Sequence, residues 1–224
     1  MNMKKRLKEA LVRVKEPFRS LQDLGWGARS RFHRERKSSE YQSIYDLESP
    51  LVTICIATFN RGQLLVERSL ASILAQTYQN IEVIVVGDCC TDDTESRMAA
   101  VSDPRVRFIN LPERGKYPDE PRLRWMVAGT AAVNHALALA SGDFITHLDD
   151  DDEHPADRIE KLLKLIRTSR ADIVWHPFEF EKTPDDWHVN PAPCFAVNQV
   201  TTSSVFYHRW FKSIPWDINA WRYQ

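Results

Sequence analysis

The stretch FITHLDDDDEHP, residues 144–155, joins an apolar run to four consecutive aspartates. Adjacent carboxylates repel one another, so four of them at the end of a buried strand indicate that a cation binds there. In an extended chain Asp149 and Asp151 would point to the same side, about 6–7 Å apart. One or two carboxylates together with substrate phosphates are the usual ligands of Mg²⁺, and Mn²⁺ prefers the same oxygens. The stretch therefore predicts a metal site at Asp151 and Asp149, with a solvated acidic patch as the alternative.

Two other uses of these acids fit the sequence less well. The acids at 149, 151, 153 and 160 imitate part of a calcium-binding EF-hand loop. His154 and Pro155 follow at its sixth and seventh positions, however, and the sharp turn of that loop requires glycine at the sixth. A phosphatase nucleophile pair normally follows the first strand of its fold, whereas three predicted strands precede this one.

Three earlier segments predict parallel strands. LVTICIAT (51–58) and IEVIVV (81–86) are continuous β-branched runs, typical of strands that are covered on both faces, and VRFIN (106–110) is the third. Helical spacing lies between them, with Asn60 and Thr91 as the predicted N-caps. The predicted fold class is α/β, with a mostly parallel central sheet flanked by helices, a Rossmann-like arrangement that binds nucleotides beyond the carboxyl ends of its strands.

The remainder of the chain continues the alternation of helices and strands. We predict a helix over 129–140, a strand over 143–148 and a helix over 155–169, which Pro155 opens at a first-turn position. Residues 171–180 and 200–208 predict two further strands, and residues 181–198 predict a loop.

Charge is distributed unevenly along the 224 residues. Residues 1–40 hold twelve Lys/Arg and five acids, a net charge of +7, whereas the whole chain carries −1 and the remaining residues therefore carry −8. We accordingly divide the chain into a basic arm, residues 1–48, and a domain, residues 49–224. A membrane-surface helix, a helix packed on its own domain and a partly disordered segment are all open for the arm. Its apolar residues recur at helical spacing: Met3, Leu7, Leu11, Val14 and Phe18.

The expected compartment is the cytoplasm, with peripheral contact of the arm at the inner face of the cell membrane. The arm lacks the continuous apolar core of a signal peptide, and the chain has no run of about 18 apolar residues. Nucleic-acid binding is not expected, because the basic run is short and the domain is acidic. The four cysteines form neither a disulfide framework nor a zinc-binding pattern: Cys55, Cys89, Cys90 and Cys194.

Three sequence blocks in order resemble the family 2 glycosyltransferases, which are inverting sugar transferases of the GT-A fold. ICIATFNR (54–61) resembles the opening strand of that family, IEVIVVGDCCTDDT (81–94) its second block, and GDFITHLDDDDEHP (142–155) its acidic motif. The likeness covers roughly residues 50–217. It implies a nucleotide-sugar-binding half, residues 49–152, and an acceptor-side half, residues 153–224.

Residue by residue, the resemblance implies a nucleotide-sugar donor, most simply a uridine diphosphate sugar, and an acceptor hydroxyl on a glycan or lipid carrier. Asp88 would accept a hydrogen bond from the base, and Asp151 would ligate Mn²⁺ or Mg²⁺, supported by Asp152. Asp149 would lie near the ribose and diphosphate and serve as the second metal residue. The metal would stabilise the negative charge of the leaving diphosphate. The implied nucleotide-sugar residues are Thr58, Asn60, Arg61, Asp88, Asn134, Asp149 and Asp150.

The chain departs from the family pattern at several positions. Ala57 replaces a proline, and Gly87 and the pair Cys89–Cys90 replace family residues beside Asp88, so base recognition rests on Asp88, for which a turn or cap role is the alternative. Val133 stands where an arginine often precedes the asparagine at 134. Arg122 or Arg124 could supply that cation to the phosphates.

No catalytic base can be assigned with conviction. The family's base lies in an acidic motif beyond the strand predicted at 200–208, and the sequence stops about where that motif should begin. We expect a chain that lacks its C-terminal part; Asp217, Glu179 and Glu181 are weak substitutes. The alternatives are a catalytically impaired nucleotide-binding domain and a nucleotidyltransferase, although ATFNRGQ is not the glycine-rich loop that the latter needs.

Histidines and tryptophans are weaker candidates. His147, His154 and His208 lie near the acids in sequence, but isolated histidines more often complete a core than bind a metal. Trp187, in the predicted loop, is a candidate platform for the acceptor sugar.

Overall fold

The computed structural model describes residues 25–196 and 199–223. The helical pattern predicted from Met3 to Phe18 lies outside these residues. The described residues form two compact units. The smaller unit consists of the described residues up to Leu47 together with Trp175–Val205, and the larger unit consists of Glu48–Val174 together with the described residues from Phe206 onward.

Six of the strands form one mixed, mostly parallel sheet. β1 pairs in parallel with β2 on one side and β4 on the other, β2 pairs in parallel with β3, and β8 is antiparallel to β4. The strand order β3-β2-β1-β4-β8-β5 confirms the predicted α/β class. The strands of the described residues are β1 (Val52–Thr58), β2 (Ile81–Gly87), β3 (Val106–Asn110), β4 (Phe144–Asp149), β5 (Ile173–Trp175), β6 (Phe178–Thr183), β7 (Asp186–Asn190) and β8 (Val205–His208).

The central strands are buried along most of their length, as is typical of a parallel sheet flanked by helices. Consecutive residues of β1 and β2 are buried, so neither strand alternates between a core face and a solvent face. Phe144 stacks on Phe206 of the antiparallel neighbour, with ring centroids 5.6 Å apart. This continuous burial explains why the two strands could be predicted without a period-two pattern.

Helices and 3₁₀ turns connect the strands. Among the described residues no helix is both long and apolar enough to cross a membrane. The helices of the described residues are α1 (Gly25–Glu35), α2 (Ser39–Ser43), α3 (residues 62–74), α4 (Thr94–Ala99), α5 (Pro121–Trp125), α6 (Thr130–Leu139) and α7 (Arg158–Ser169). Helix α3 has three segments: it is α-helical over Gly62–Leu64, π-helical over Leu65–Leu70 and α-helical again over Ala71–Leu74. The 3₁₀ turns are Ile44–Asp46, Thr202–Ser204, Arg209–Ser213 and Ala220–Tyr223.

Both predicted helix caps are wrong. Asn60 adopts a left-handed conformation with φ of 54°, and its Oδ1 accepts the Thr91 N–H at 2.8 Å instead of capping α3. The first turn of α4 is held by Asp92, whose Oδ1 accepts the Thr94 N–H at 3.1 Å. Asn60 and Thr91 therefore join the loops that follow β1 and β2, a contact between distant segments that local capping rules do not predict.

The helix predicted to open at Pro155 begins at Arg158 instead. Gln76 of the segment after α3 occupies the backbone groups that an earlier first turn would use. Its Nε2 donates to the Pro155 carbonyl at 2.7 Å, and its Oε1 accepts the Ile159 N–H at 3.1 Å. A tertiary contact thus sets the start of α7, which sequence alone does not reveal.

The prediction of a loop over 181–198 is wrong, since β6 and β7 form an antiparallel hairpin with Phe180 opposite His188. The predicted strand 171–180 is divided between β5 and β6, because Pro177 has no N–H to donate to a ladder. The strand predicted over 200–208 is shorter as well, since a 3₁₀ turn precedes β8. Alternation of Phe and Glu before the turn at Asp185, which has φ of 66°, was the available signal for the hairpin.

We predict that Gln76→Ala lowers the free energy of unfolding by about 2–4 kcal/mol, because it leaves the Pro155 carbonyl and the Ile159 N–H without their side-chain partner in a buried setting. Urea denaturation would measure the change. Gln63→Ala is the matched control: its amide contacts Glu67 on the exposed surface of the same helix, and we expect a change of less than about 0.5 kcal/mol. Equal effects of the two substitutions would contradict the assignment.

Candidate functional site

The candidate site lies where the carboxyl ends of β1, β2 and β4 meet. Parallel pairing aligns Thr58 with Gly87 and Ala57 with Asp149. Because parallel strands end at the same edge of a sheet, the loops after these three strands are neighbours. The Asp88 N–H donates to the Thr58 carbonyl at 2.8 Å, which fixes the start of the second loop against the first.

The four aspartates do not continue the strand. β4 ends at Asp149, and the Asp152 N–H donates to the Asp149 carbonyl at 3.1 Å, so the chain turns through Asp150 and Asp151. The expectation that Asp149 and Asp151 point the same way along an extended strand is therefore wrong. We call the four residues Asp149–Asp152 the acidic turn.

Asp150 and Asp151 share one cation, the guanidinium of Arg61. Arg61 Nη1 lies 3.1 Å from Asp150 Oδ1 and 2.6 Å from Asp151 Oδ2. Asp150 is buried, and its Oδ2 accepts a hydrogen bond of 2.7 Å from Thr58 Oγ1. Burial raises the pKa of Asp150, while the bonds from Thr58 and Arg61 oppose the rise. The structure therefore brings Thr58, Arg61 and the acidic turn together, as the resemblance implied.

Asp149 shows that the turn remains short of positive charge. Burial, followed by the carboxylates of Asp152, Asp151 and Asp150, raises its pKa from 3.8 to about 7, and Arg61 offsets only part of this. A carboxylate that is held near neutrality by its negative neighbours is stabilised in its charged form by any cation that arrives.

The donor set fits a hard divalent cation in part. Carboxylate oxygens are the ligands that Mg²⁺ and Mn²⁺ prefer, and three neighbouring carboxylates add to the effect of burial in raising the pKa of Asp149. Within the described residues no group of three or more His, Cys, Asp or Glu side chains is arranged to hold a metal by itself. One or two protein carboxylates completed by ligand phosphates is the normal arrangement for these ions, and Asp151 and Asp149 would be the protein's share.

Asp88 directly follows β2 and contacts residues of the loop after β3 that were not predicted from the sequence. Its side chain is almost fully buried; Oδ1 accepts the Gly115 N–H at 3.0 Å, and Oδ2 lies 3.6 Å from Arg114 Nε. The Arg114 guanidinium also covers the ring of Phe59, with Cζ 3.5 Å from the ring centroid. Burial and the nearby Asp88 raise the pKa of Tyr117 in the same loop.

Arg114 was missed because nothing in the run PERGKY distinguishes it from a solvated loop cation. It stacks on an aromatic ring and faces the carboxylate of Asp88 at the same time. Arg114 therefore covers both the aromatic face of Phe59 and the carboxylate of Asp88.

Gly87, which departs from the family pattern, has a steric reason. A Cβ at this position would lie 2.6 Å from Oδ1 of Asn110, the last residue of β3. The Asn110 amide is placed there to hold the loop after β2, accepting the Cys90 N–H at 2.8 Å and donating to the Cys90 carbonyl at 2.9 Å. An asparagine at the end of a short strand carried no signal of this role.

Asn134 and the loop arginines have other partners. The Asn134 side chain accepts the Trp216 N–H at 2.7 Å and donates to the Trp216 carbonyl at 2.9 Å, which fastens the C-terminal segment to α6. Arg124 caps its own loop by donating to the carbonyls of Pro118 and Asp119, and Arg122 lies exposed on α5.

The three histidines considered as metal ligands, His147, His154 and His208, are all buried. His147 Nε2 and the Tyr207 hydroxyl are 2.7 Å apart, and burial, with a smaller effect of Arg158, lowers the His147 pKa to about 3. His208 Nδ1 accepts the Trp210 N–H, and the His154 N–H donates to Ser72 Oγ at 3.1 Å.

The weak base candidates lie in different units. Asp217 is exposed in the larger unit, and its Oδ1 accepts the Asn219 N–H at 2.8 Å. Glu179 and Glu181 are exposed on β6 of the smaller unit. Trp187, expected in a loop, is on β7 opposite Glu181 and is 55% exposed.

A mostly parallel six-stranded sheet flanked by helices, with an acidic turn and a buried aspartate after neighbouring strands, is an α/β architecture of the GT-A type. The model of "Glycosyl transferase family 2" matches residues 53–118 and 122–213, which is more than half of the chain. The chain therefore belongs to glycosyltransferase family 2.

A curated relative with a similar sequence is also a glycosyltransferase. The chain is 32% identical over 127 residues to the GalNAc(5)-diNAcBac-PP-undecaprenol β-1,3-glucosyltransferase of Campylobacter jejuni, which covers 55% of this chain and 37% of that enzyme. It spans less than half of the length of the curated relatives it matches.

Two solved structures share the fold. TarS of S. aureus in complex with UDP has a TM-score of 0.59 at 17% identity, over 75% of this chain and 50% of that one. The mannosyltransferase PcManGT of Pyrobaculum calidifontis, in complex with GDP-Man and Mn²⁺, has a TM-score of 0.51 at 23% identity, over 76% and 48%. At these identities the likeness shows the GT-A fold.

We predict that Asp149→Asn stabilises the metal-free protein at pH 8 by on the order of 2 kcal/mol. Because the pKa of Asp149 is raised to about 7 in the folded protein, the folded state binds more protons than the unfolded state between about pH 4 and 7, and its stability falls as pH rises through that window. Asparagine removes this loss, so the difference between the two proteins should shrink toward zero near pH 4.

Thermal or urea unfolding in chelator at pH 5 and pH 8 would measure this difference. Glu95→Gln, which neutralises an exposed carboxylate on α4, is the control and should show no such pH-dependent gain. An Asp149→Asn variant no more stable than the parent at pH 8 would refute the charge deficit of the acidic turn.

Proposed function

We propose that the protein is a metal-dependent inverting glycosyltransferase that moves a sugar from a nucleotide-sugar donor, a uridine diphosphate sugar, to a hydroxyl of a glycan or lipid-carrier acceptor. The observation that carries the proposal is the convergence of the acidic turn, Arg61 and Asp88 at the carboxyl ends of three adjacent parallel strands. Family membership supports the reaction class, and the geometry is consistent with one group of residues for the diphosphate and another for the base.

The acidic turn is the part proposed for the diphosphate. Asp151 and Asp149 would hold Mn²⁺ or Mg²⁺. Asp150, which is bound by Thr58 and Arg61, would hold the backbone of the acidic turn between them. Arg61 is half-exposed and remains charged, because the carboxylates of Asp150 and Asp151 raise its pKa although burial works the other way. A cation in contact with the turn and open to solvent is suited to a phosphate oxygen.

Asp88 is the part proposed for the base. Its Oδ1 is satisfied by the Gly115 N–H, so Oδ2, which faces Arg114 at 3.6 Å, is the oxygen that a base N–H would meet. Phe59 offers an aromatic face beside it once Arg114 moves aside. Uracil presents an N–H between two carbonyls to such an acceptor, and we therefore choose uridine.

The proposed reaction is a single displacement at the anomeric carbon of the sugar. The acceptor oxygen forms a bond to that carbon, the bond to the diphosphate oxygen breaks on the opposite face, and the acceptor proton passes to a base. A divalent metal, when bound, supplies positive charge to the departing diphosphate. Arg61 adds a fixed cation at the same place, and Asp217 is retained only as a weak candidate for the base.

The names of the relatives support the proposed acceptor class and cellular site. The Campylobacter enzyme carries an undecaprenol-linked oligosaccharide in its name, and this supports a lipid-carrier or glycan acceptor. A lipid-linked acceptor is presented at a membrane surface, so we propose a cytoplasmic protein that meets the inner face of the membrane peripherally, aided by the basic arm. The structures of TarS with UDP and PcManGT with GDP-Man and Mn²⁺ support a nucleoside diphosphate donor and a divalent ion.

Calorimetric titration with UDP, in Mn²⁺ and in chelator, tests the proposal, with GDP as the competing nucleotide. Asp151→Asn should reduce the affinity for UDP in Mn²⁺ by about 10–100-fold, the range that supporting substitutions around metal sites already reach, and leave the affinity in chelator nearly unchanged. Glu153→Gln, just outside the acidic turn, is the matched control and should behave as the parent.

Unchanged Mn²⁺-dependent affinity in Asp151→Asn would refute the metal assignment, and no binding of either nucleotide would refute the donor site. The release of UDP from a UDP-sugar in the same preparation separates the enzyme from a domain that binds without turnover.

Asp88→Asn should lower the affinity for UDP about tenfold, or about 1.4 kcal/mol, and reduce the preference for UDP over GDP. Asparagine can still accept the Gly115 N–H, but its amide group replaces the second acceptor oxygen. Glu113→Gln, an exposed acid of the same loop, is the control in the same titration. Retained preference for UDP in Asp88→Asn would mean that Asp88 acts as a turn residue.

A further inference from the structure

One hydroxyl from α3 reaches both ends of the acidic turn. Ser69 is completely buried, and its Oγ lies 3.1 Å from the Asp149 carbonyl oxygen and 2.8 Å from the Asp152 carbonyl oxygen. The hydroxyl hydrogen is therefore shared between the first and last carbonyls of the turn, and the Asp152 N–H closes the same turn on Asp149.

The helix around Ser69 is shaped for this contact. Ser69 lies in the π-helical segment Leu65–Leu70, in which the backbone is wider than in the α-helical segments on either side. Such short π segments within α-helices are frequent at functional sites. Here the segment places a small polar side chain against a loop that begins eighty residues later in the chain.

The contact from Ser69 leaves the carboxylates of the acidic turn available to bind a ligand, because it is made to the backbone. Four neighbouring carboxylates repel one another. A second cation would hold the turn by pairing with its carboxylates. Ser69 holds it through two backbone carbonyls instead, and so uses no carboxylate oxygen.

We propose that Ser69 is a positioning residue that holds the acidic turn in the shape required to bind a divalent cation together with a nucleoside diphosphate. The proposal rests on the proposed function, since it takes Asp151 and Asp149 as the protein's metal ligands. Ser69 does not touch the ligand; it acts through the backbone of the turn.

A neighbouring serine provides a matched control. Ser72, one turn further along α3, accepts the His154 N–H at 3.1 Å and donates to the Ser69 carbonyl at 2.8 Å. It anchors the chain just beyond the acidic turn but makes no hydrogen bond to either of the turn's end carbonyls. Removing each hydroxyl in turn separates support of the acidic turn from support of the loop in general.

The experiment compares the full chain with Ser69→Ala, Ser72→Ala and Ser69→Thr. UDP binding is measured by calorimetry in Mn²⁺ and in chelator, Mn²⁺ binding by electron paramagnetic resonance, and folding by circular dichroism. Ser69→Ala should weaken UDP binding in Mn²⁺ about tenfold and change binding in chelator less than twofold. Ser72→Ala should stay within about twofold of the parent in both conditions, and Ser69→Thr, which keeps the hydroxyl, should recover most of the loss.

Four results would overturn the proposal. Ser69→Ala with parental affinity in Mn²⁺ would show that the hydroxyl is dispensable. Equal loss in Mn²⁺ and in chelator, or equal loss in Ser69→Ala and Ser72→Ala, would show a general structural role. A folded Ser69→Thr protein as weak as Ser69→Ala would show that the hydroxyl is not the active feature. A parent protein whose UDP binding ignores Mn²⁺ would refute the proposed function itself, and is recognised without any variant.

Discussion

Parallel pairing of β1 with both β2 and β4 is the constraint on which the candidate site depends. It aligns Thr58 with Gly87 and Ala57 with Asp149, so that three loops distant in sequence begin at one edge of the sheet. The pairing is stable only because continuous apolar residues bury both faces of these strands. The polar residues that follow can then be placed by short contacts between loops, such as that of Asn60 with Thr91.

Those contacts oppose the electrostatic cost of the acidic turn. Four adjacent carboxylates at the end of a buried strand destabilise the fold, and the raised pKa of Asp149 shows that the cost is only partly compensated. Thr58 and Arg61 stabilise Asp150 from the β1 side, and Ser69 holds the backbone of the turn from α3. The acidic turn is therefore supported in two ways: Thr58 and Arg61, on and just after β1, contact its carboxylates, and Ser69 of α3 contacts its backbone carbonyls.

The elements that sequence predicted well are those whose signal is local. Continuous β-branched runs predicted β1 and β2, and the family resemblance associated Thr58 and Arg61 with the aspartates after β4, although the turn that these aspartates form was not predicted. The errors arose where a distant segment decides the local structure. Gln76 delays the start of α7, and the Asn60 side chain binds Thr91 instead of capping α3. Arg114 and Ser69 carry no sequence signal, because their roles exist only once the loops are assembled.

The acidic turn and the surroundings of Asp88 differ in how their side chains are paired, and this difference bears on how a ligand could bind. On the acidic side four carboxylates lie together and Arg61 pairs with two of them, so a cation would meet further carboxylate oxygens there. On the base side Asp88 and Phe59 are already satisfied by Gly115 and Arg114. A nucleotide that occupied both halves would need the loop of Arg114 to give up its stacking contact, whereas the acidic turn could keep its backbone conformation. In the proposed nucleotide complex, the proline- and glycine-containing loop after β3 would therefore have to rearrange, whereas the turn held by α3 could stay in place.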